Sequence, residues 1–168
     1  LISGIDDIGV LAKCPDAPNV VRMQLCRAPK AARRNMIVSS SCGLCGSSSS
    51  IAEILSALPR VGDSMSVPLS LLDAVVRRMS KRQALYRSTG ATHAAAVFAP
   101  DGQIVAVGED IGRHNALDKA IGKCLLERRN FAGHGVALSG RVSIEMLSKA
   151  AVAGIELIVA VSAPTSLA

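Results

Sequence analysis

From Leu69 onward the chain alternates between two kinds of apolar spacing. Leu72, Val75, Val76 and Met79 recur at helical intervals, which predicts one helix over 69–87 whose other face carries Arg77, Arg78, Lys81 and Arg82. Thr92 to Ala99 and Ile104 to Val107 are short apolar runs joined through Asp101-Gly102, the pattern of a hairpin. A stripe of Leu117, Ile121, Cys124 and Leu125 predicts a helix over 114–128. Gly135 to Leu138 reads as a strand, Ser143 to Ala153 as a helix stopped by Gly154, and Leu157 to Val161 as a last strand. Apolar strands joined through helices imply a sheet that is parallel in part and covered on both faces. The fold expected is α/β, a layered mixed sheet with helices on both faces, behind a short irregular N-terminal part.

The first third is less regular. Val20 to Leu25 alternates well enough for a short strand, and Met36-Ile-Val38 predicts another. A helix is expected from Ser47, where serine caps precede Ile51, Ile54, Leu55 and Leu58, with Pro59 as its stop. Arg60 to Pro68, with Gly62 inside it, reads as a linker. No internal repeat is evident.

Composition narrows the function. The 168 residues are 49% apolar, enough for one globular domain with its own core and against intrinsic disorder. The longest uncharged stretch, Asn35 to Ala52, is rich in Ser and Gly, whereas a membrane span needs about 20 mainly apolar residues. No membrane association is expected. The first residues carry Asp6 and Asp7 where a secretory signal wants bases, and the absence of an initiator Met leads us to expect a fragment. The net charge of +6 invites an anionic partner. Tyr86, Phe98 and Phe131 are the only aromatics, too few for the stacking platforms of single-stranded nucleic acid binders. A small anion or an acidic protein fits better than nucleic acid. Five cysteines make a poor disulfide framework and point to a reducing, cytoplasmic setting.

The sharpest chemical feature is Ser41-Cys-Gly-Leu-Cys-Gly46. Two intervening residues let both sulfurs approach one atom or one another, and a helix start just beyond them favours the thiolate. Three uses compete on these residues alone: half of a zinc site, a dithiol redox pair, or a sulfur carrier forming a persulfide. Zinc lacks a second close Cys or His pair, since His93, His114 and Cys124 would have to converge from afar, so no metal site is expected. A zinc deaminase would need a His-x-Glu element before a Pro-Cys-x-x-Cys, and neither is present. Cys14, Cys26 and Cys124 read as packing or incidental thiols.

Polar residues gather where strands give way to helices, the place where open α/β sheets bind ligands. In Gly108-Glu-Asp-Ile-Gly-Arg-His-Asn115, Asn115 or His114 can cap the helix while Arg113 adds a positive fork suited to phosphate. Ser139-Gly-Arg141-Val-Ser143 repeats the arrangement, and Ser162-Ala-Pro-Thr165 makes a third strand end. If the strands run parallel there, all three face one cleft. The simpler readings are a capped helix with a solvated Arg, a surface pair between Glu145 and Arg141, an exposed Asp118-Lys119 face, and a satisfied edge histidine at His93. His134 reads as a loop residue. Arg27, Lys30, Arg33 and Arg34 form either a solvated face or a dock for an acidic partner.

Together, Ser41-Cys-Gly-Leu-Cys-Gly46, Ser88-Thr-Gly-Ala-Thr-His-Ala-Ala95, Glu109 to Lys119, Ser139 to Glu145 and Ser162 to Ala168 resemble the formate dehydrogenase accessory sulfurtransferase (FdhD) family. The resemblance implies a cytidine deaminase-like domain over 47–168, truncated at its C-terminus, after a fragment of a β-rich domain with the cysteine loop over 1–46. It implies a homodimer that takes sulfane sulfur from a cysteine desulfurase. The sulfur then passes to the molybdenum (or tungsten) bis-guanine-dinucleotide cofactor, for formate dehydrogenase. Cys42 matches the persulfide-forming cysteine and Cys45 its partner, which either expels sulfide or holds the acceptor. Arg113, His114, Ser139, Arg141 and Thr165 are the expected cofactor-binding residues. Ala91 stands where the family usually has a second Gly. A non-enzymatic cofactor-binding chaperone is the alternative, with zinc-stabilised folding a third possibility.

Overall fold

In a computed structural model of the chain, residues 5–26, 55, 56, 58–166 and 168 are described. The expected strand at Met36–Val38, the basic set Arg27, Lys30, Arg33 and Arg34, both motif cysteines and most of the helix from Ser47 lie outside them, as does a boundary at 46/47. The chain divides into two compact units, Leu1–Ile37 and Val38–Ala168.

In the first unit a single 3-10 turn, Ile5–Asp7, leads into β1 (Ile8–Cys14), which pairs antiparallel with β2 (Ala17–Leu25). Ala12 lies opposite Arg22, and Cys26 N–H closes the ribbon on Asp7 O at 2.8 Å. β2 contains the expected strand at 20–25. β1 escapes sequence reading because Ile-Gly-Val-Leu-Ala-Lys-Cys has no two-residue alternation, and most of its residues are exposed on both faces.

The second unit is built on a four-stranded sheet in the order β4-β3-β5-β6, formed from β3 (His93–Phe98), β4 (Ile104–Asp110), β5 (Gly135–Leu138) and β6 (Leu157–Ala160). β3 runs antiparallel to both β4 and β5, whereas β5 and β6 are parallel. Successive β3 side chains alternate between two buried clusters, as a pleat with a period of two requires. Ala95 and Val97 pack with Leu117, Ala120, Met146 and Ala150; Ala94, Ala96 and Phe98 pack with Val75 and Met79. Helices therefore cover both faces, as expected. Phe98 lies over Gly135, where a Cβ would come within 2.5 Å of its ring.

The helix expected over 69–87 is two helices, α1 (Leu69–Lys81) and α2 (Ala84–Thr89). The break falls at Gln83, which is buried with ψ 78. Its cause lies on β4: the Glu109 carboxylate accepts the Leu85 and Tyr86 N–H groups, each at 3.0 Å, satisfying the start of a new helix. The basic face of α1 is partly committed as well. Arg78 donates to Gly102 O at 2.7 Å and Arg82 to Ile104 O at 3.3 Å, while Arg77 pairs with Asp73.

α3 (Arg113–Leu126) and α4 (Ile144–Ala153) lie on the opposite face. Lys149 Nζ reaches both Asp118 oxygens at 2.6 Å, and Lys119 pairs with Asp110 at 2.5 Å, so the Asp118-Lys119 face ties α3 to its neighbours. α4 ends at Gly154, whose φ of 85 a side chain would strain. The linker over 60–68 is irregular but anchored, because Glu156 accepts from Ser64 Oγ, Met65 N–H and Gly133 N–H.

Candidate functional site

Register brings the polar strand ends together. His93, the first residue of β3, pairs with Asp110, the last of β4, and Ala95 pairs with Leu138 at the end of β5. β6 runs parallel to β5, so β4, β5 and β6 all finish where β3 begins. Beyond them an isolated parallel bridge joins Val142 to Pro164, and Thr165 N–H donates to Val142 O at 2.9 Å.

Ser139 is the hinge of this end. Its N–H donates to Ala94 O at 3.0 Å and its Oγ accepts the Ala94 N–H at 2.8 Å. Ser139 Oγ also lies 3.4 Å from His93 Nδ1, which ties the start of β3 to the end of β5 through side chains as well as backbone. Gly140 follows because space is short. A Cβ there would come within 3.2 Å of His93 Nδ1 and 3.4 Å of Arg113 Cβ and Cδ.

Two helices start at the same place, α3 at Arg113 and α4 after Ser143, so their free N–H groups and positive dipole ends share one sheet edge. Three buried side-chain atoms there have no hydrogen-bond partner among the described residues: Arg113 Nε, His114 Nε2 and Ser143 Oγ. His114 is 4% exposed and Ser143 8%. Buried polar groups are almost always satisfied, so three orphans at two helix starts mark a site suited to an added polar group. The donors and dipoles favour an anion.

Burial pushes the His114 pKa down, the Arg113 charge pushes it further, and Glu145 opposes both. Glu145 is held below the usual carboxylate range first by the Ser143 hydroxyl, against desolvation, with His114 and Arg113 assisting. The Ser143 hydroxyl favours the carboxylate by nearness, without a well-formed hydrogen bond to it. At neutral pH the imidazole is therefore uncharged, with the Arg113 guanidinium and the Glu145 carboxylate acting on it in opposite directions.

Several expectations change. Neither Asn115 nor His114 caps α3, which starts from Gly112 with no side-chain cap; Asp110, just before it, accepts Gly112 N–H at 2.9 Å and an Asn115 Nδ2 hydrogen at 3.1 Å. Glu145 faces Ser143, His114 and Arg113 and forms no ion pair with Arg141. Arg141 and Thr165 are exposed at the rim, whereas Arg113, His114 and Ser139 belong to the inner cluster. His93, Gly140, Ser143 and Glu145 join that cluster without having been singled out as ligand groups. A signal for His93 existed in the hairpin register, but its neighbour Ser139 follows only from β3 lying between β4 and β5. Cys42 and Cys45 lie outside the described residues. His134 Nδ1 is 2.9 Å from Ala132 O in its loop, and Cys124 is buried in the core, which pushes its thiol pKa up. Among the described residues no group of three or more His, Cys, Asp or Glu could hold a metal ion, and no helix is long and apolar enough to cross a membrane.

A mixed sheet with helices on both faces, and a polar end built from two helix starts, defines a layered α/β protein with its polar groups gathered at one end of the sheet. The chain belongs to the FdhD/NarQ family, whose model matches residues 1–168. It is 45% identical over 139 residues to the sulfur carrier protein FdhD of Bordetella petrii, covering 83% of this chain and 50% of that one. It is 39% identical over 168 residues to the sulfur carrier protein FdhD of Sulfurisphaera tokodaii, covering 99% of this chain and 63% of that one. The chain thus spans only half to about two thirds of these relatives. A crystal structure of a candidate formate dehydrogenase accessory protein from Desulfotalea psychrophila shares the fold, with TM-score 0.72 at 24% identity, covering 99% of this chain and 60% of that one.

Proposed function

We propose that this chain is a sulfur carrier that serves formate dehydrogenase by moving sulfane sulfur from a cysteine desulfurase to the molybdenum bis-guanine-dinucleotide cofactor. What carries the reading is the motif Ser41-Cys-Gly-Leu-Cys-Gly46 in a chain whose relatives are named sulfur carrier proteins. The Cys42 thiolate attacks the outer sulfur of the donor persulfide; the new S–S bond forms on Cys42 as the donor's S–S bond breaks, and the donor cysteine leaves as a thiolate. Attack by the Cys45 thiolate on Cys42 Sγ then expels hydrosulfide to the acceptor and leaves a Cys42–Cys45 disulfide, which an external dithiol reduces.

The polar strand end supplies the other half of the task. The cofactor is cargo, and its nucleotide arms carry pyrophosphate. Arg113, the α3 and α4 N-termini and Ser139 offer donors for those anions, His114 a neutral donor behind them, and Arg141 and Thr165 a polar rim. The reading includes a reducing cytoplasm and a homodimer. Its rival is a chaperone that only binds the cofactor. In a strain lacking the endogenous protein, the full chain is expected to restore formate dehydrogenase activity and its Cys42→Ser/Cys45→Ser variant to fail. Full restoration by the double variant would favour the chaperone.

A further inference from the structure

Lys81, Arg82, Arg78 and Arg87 crowd the turn between α1 and α2, and none of them forms an ion pair with a carboxylate among the described residues, unlike Arg77, which pairs with Asp73. Uncompensated charge is expected on a basic chain. What distinguishes this face is its order. Arg78 is held by Gly102 O, Arg82 by Ile104 O, and Arg87 by Lys81 O at 2.5 Å. Each guanidinium uses one nitrogen on a backbone carbonyl and keeps others for a ligand, so less side-chain freedom is lost on binding than for a solvated arginine. Between them and the hairpin lies a groove of about 470 Å³ lined by Arg78, Lys81, Arg82, Asp101, Gln103 and Ile104.

We propose that this groove is a docking surface for an acidic segment of a partner protein. Three observations favour a protein over a nucleic acid. Asp101 lines the groove and repels any anion beside it, so it disfavours a continuous phosphate chain, whereas a peptide can set an apolar residue at that point and its carboxylates on the cations. Leu85 and Tyr86, 51% and 49% exposed, flank the cations and offer apolar contact to a peptide of mixed acidic and apolar residues. Tyr86 is also the only exposed aromatic side chain near the groove, one ring where a base-stacking path needs several. The groove sits at the hairpin end of the sheet, near the Phe98–Ile104 pair, whereas the polar strand end begins at the His93–Asp110 pair. Five residues of extended strand separate them, about 17 Å. A partner docked at one end therefore leaves the other open. This placement does not depend on the sulfur-carrier reading.

Lys81 provides the clean test, since its ammonium has no partner among the described residues while Arg78 and Arg82 brace the hairpin. Fluorescence anisotropy with the full chain and a short labelled peptide rich in Glu, Asp and Leu is expected to show binding at physiological salt. Lys81→Glu should weaken it roughly tenfold. Lys149→Glu on α4, the same change in net charge on the opposite face of the sheet, should leave it within about twofold. Equal weakening by the two variants, equal binding of a Gln/Asn version of the peptide, tighter binding of a single-stranded RNA of matched charge, or no binding of the acidic peptide would each overturn the proposal.

Discussion

Gly108 lies so close to Ala116 that a Cβ at 108 would stand 2.2 Å from the Ala116 carbonyl oxygen. β4 and α3 therefore meet backbone to backbone, and the helix cannot retreat because Ala116, Leu117 and Ala120 are fully buried on it. This contact sets how far the first turn of α3, with Arg113 and His114, stands from the strand ends. Gly108→Ala is expected to destabilise the chain by about 3 kcal/mol, the upper end of the usual cost of overpacking. A denaturant midpoint equal to that of the parent would mean that the close approach does not constrain the fold.

Arg113 should carry much of the affinity for a pyrophosphate group. Arg113→Ala is expected to weaken binding of guanosine diphosphate at least tenfold by calorimetry, a charge-assisted contact being worth roughly 1.5–3 kcal/mol. Unchanged affinity would remove the strand end from the cofactor account.

His114 makes stability depend on pH in a defined direction. Its pKa in the fold lies below the ordinary 6.5, so the unfolded chain takes up a proton first as pH falls. Stability is fully present above pH 6.5 and declines below it, before the carboxylates with an ordinary value near 4.5 begin to titrate. Denaturation midpoints measured between those pH values should fall with pH in the parent chain and much less in His114→Gln. A flat parent profile would contradict the buried neutral imidazole.

The second unit was largely legible because its signals are local. Gly135–Leu138 and the helix stopped at Gly154 are where apolar runs and a left-handed glycine put them. The division of 69–87 was not legible, because the carboxylate that starts the second helix, on Glu109, arrives from a strand more than twenty residues away. For the same reason the expected cap by Asn115 or His114 did not form: Asn115 Nδ2 turns to Asp110 at the end of β4, which also takes Gly112 N–H, and α3 starts without a side-chain cap. The inner site was half legible. Arg113, His114 and Ser139 advertise themselves by sitting at strand ends, whereas His93 joins them only through sheet order, and Glu145 does so because α4 starts beside α3.

The central claim is that Cys42 accepts and carries a sulfane sulfur atom. Incubation of the full chain with a cysteine desulfurase and cysteine, followed by intact-mass measurement under non-reducing conditions, tests it most directly. The parent chain should gain the mass of one sulfur atom, removable by a dithiol, and Cys42→Ser should gain none. Equal loading of Cys42→Ser, or no loading of the parent, would contradict the account.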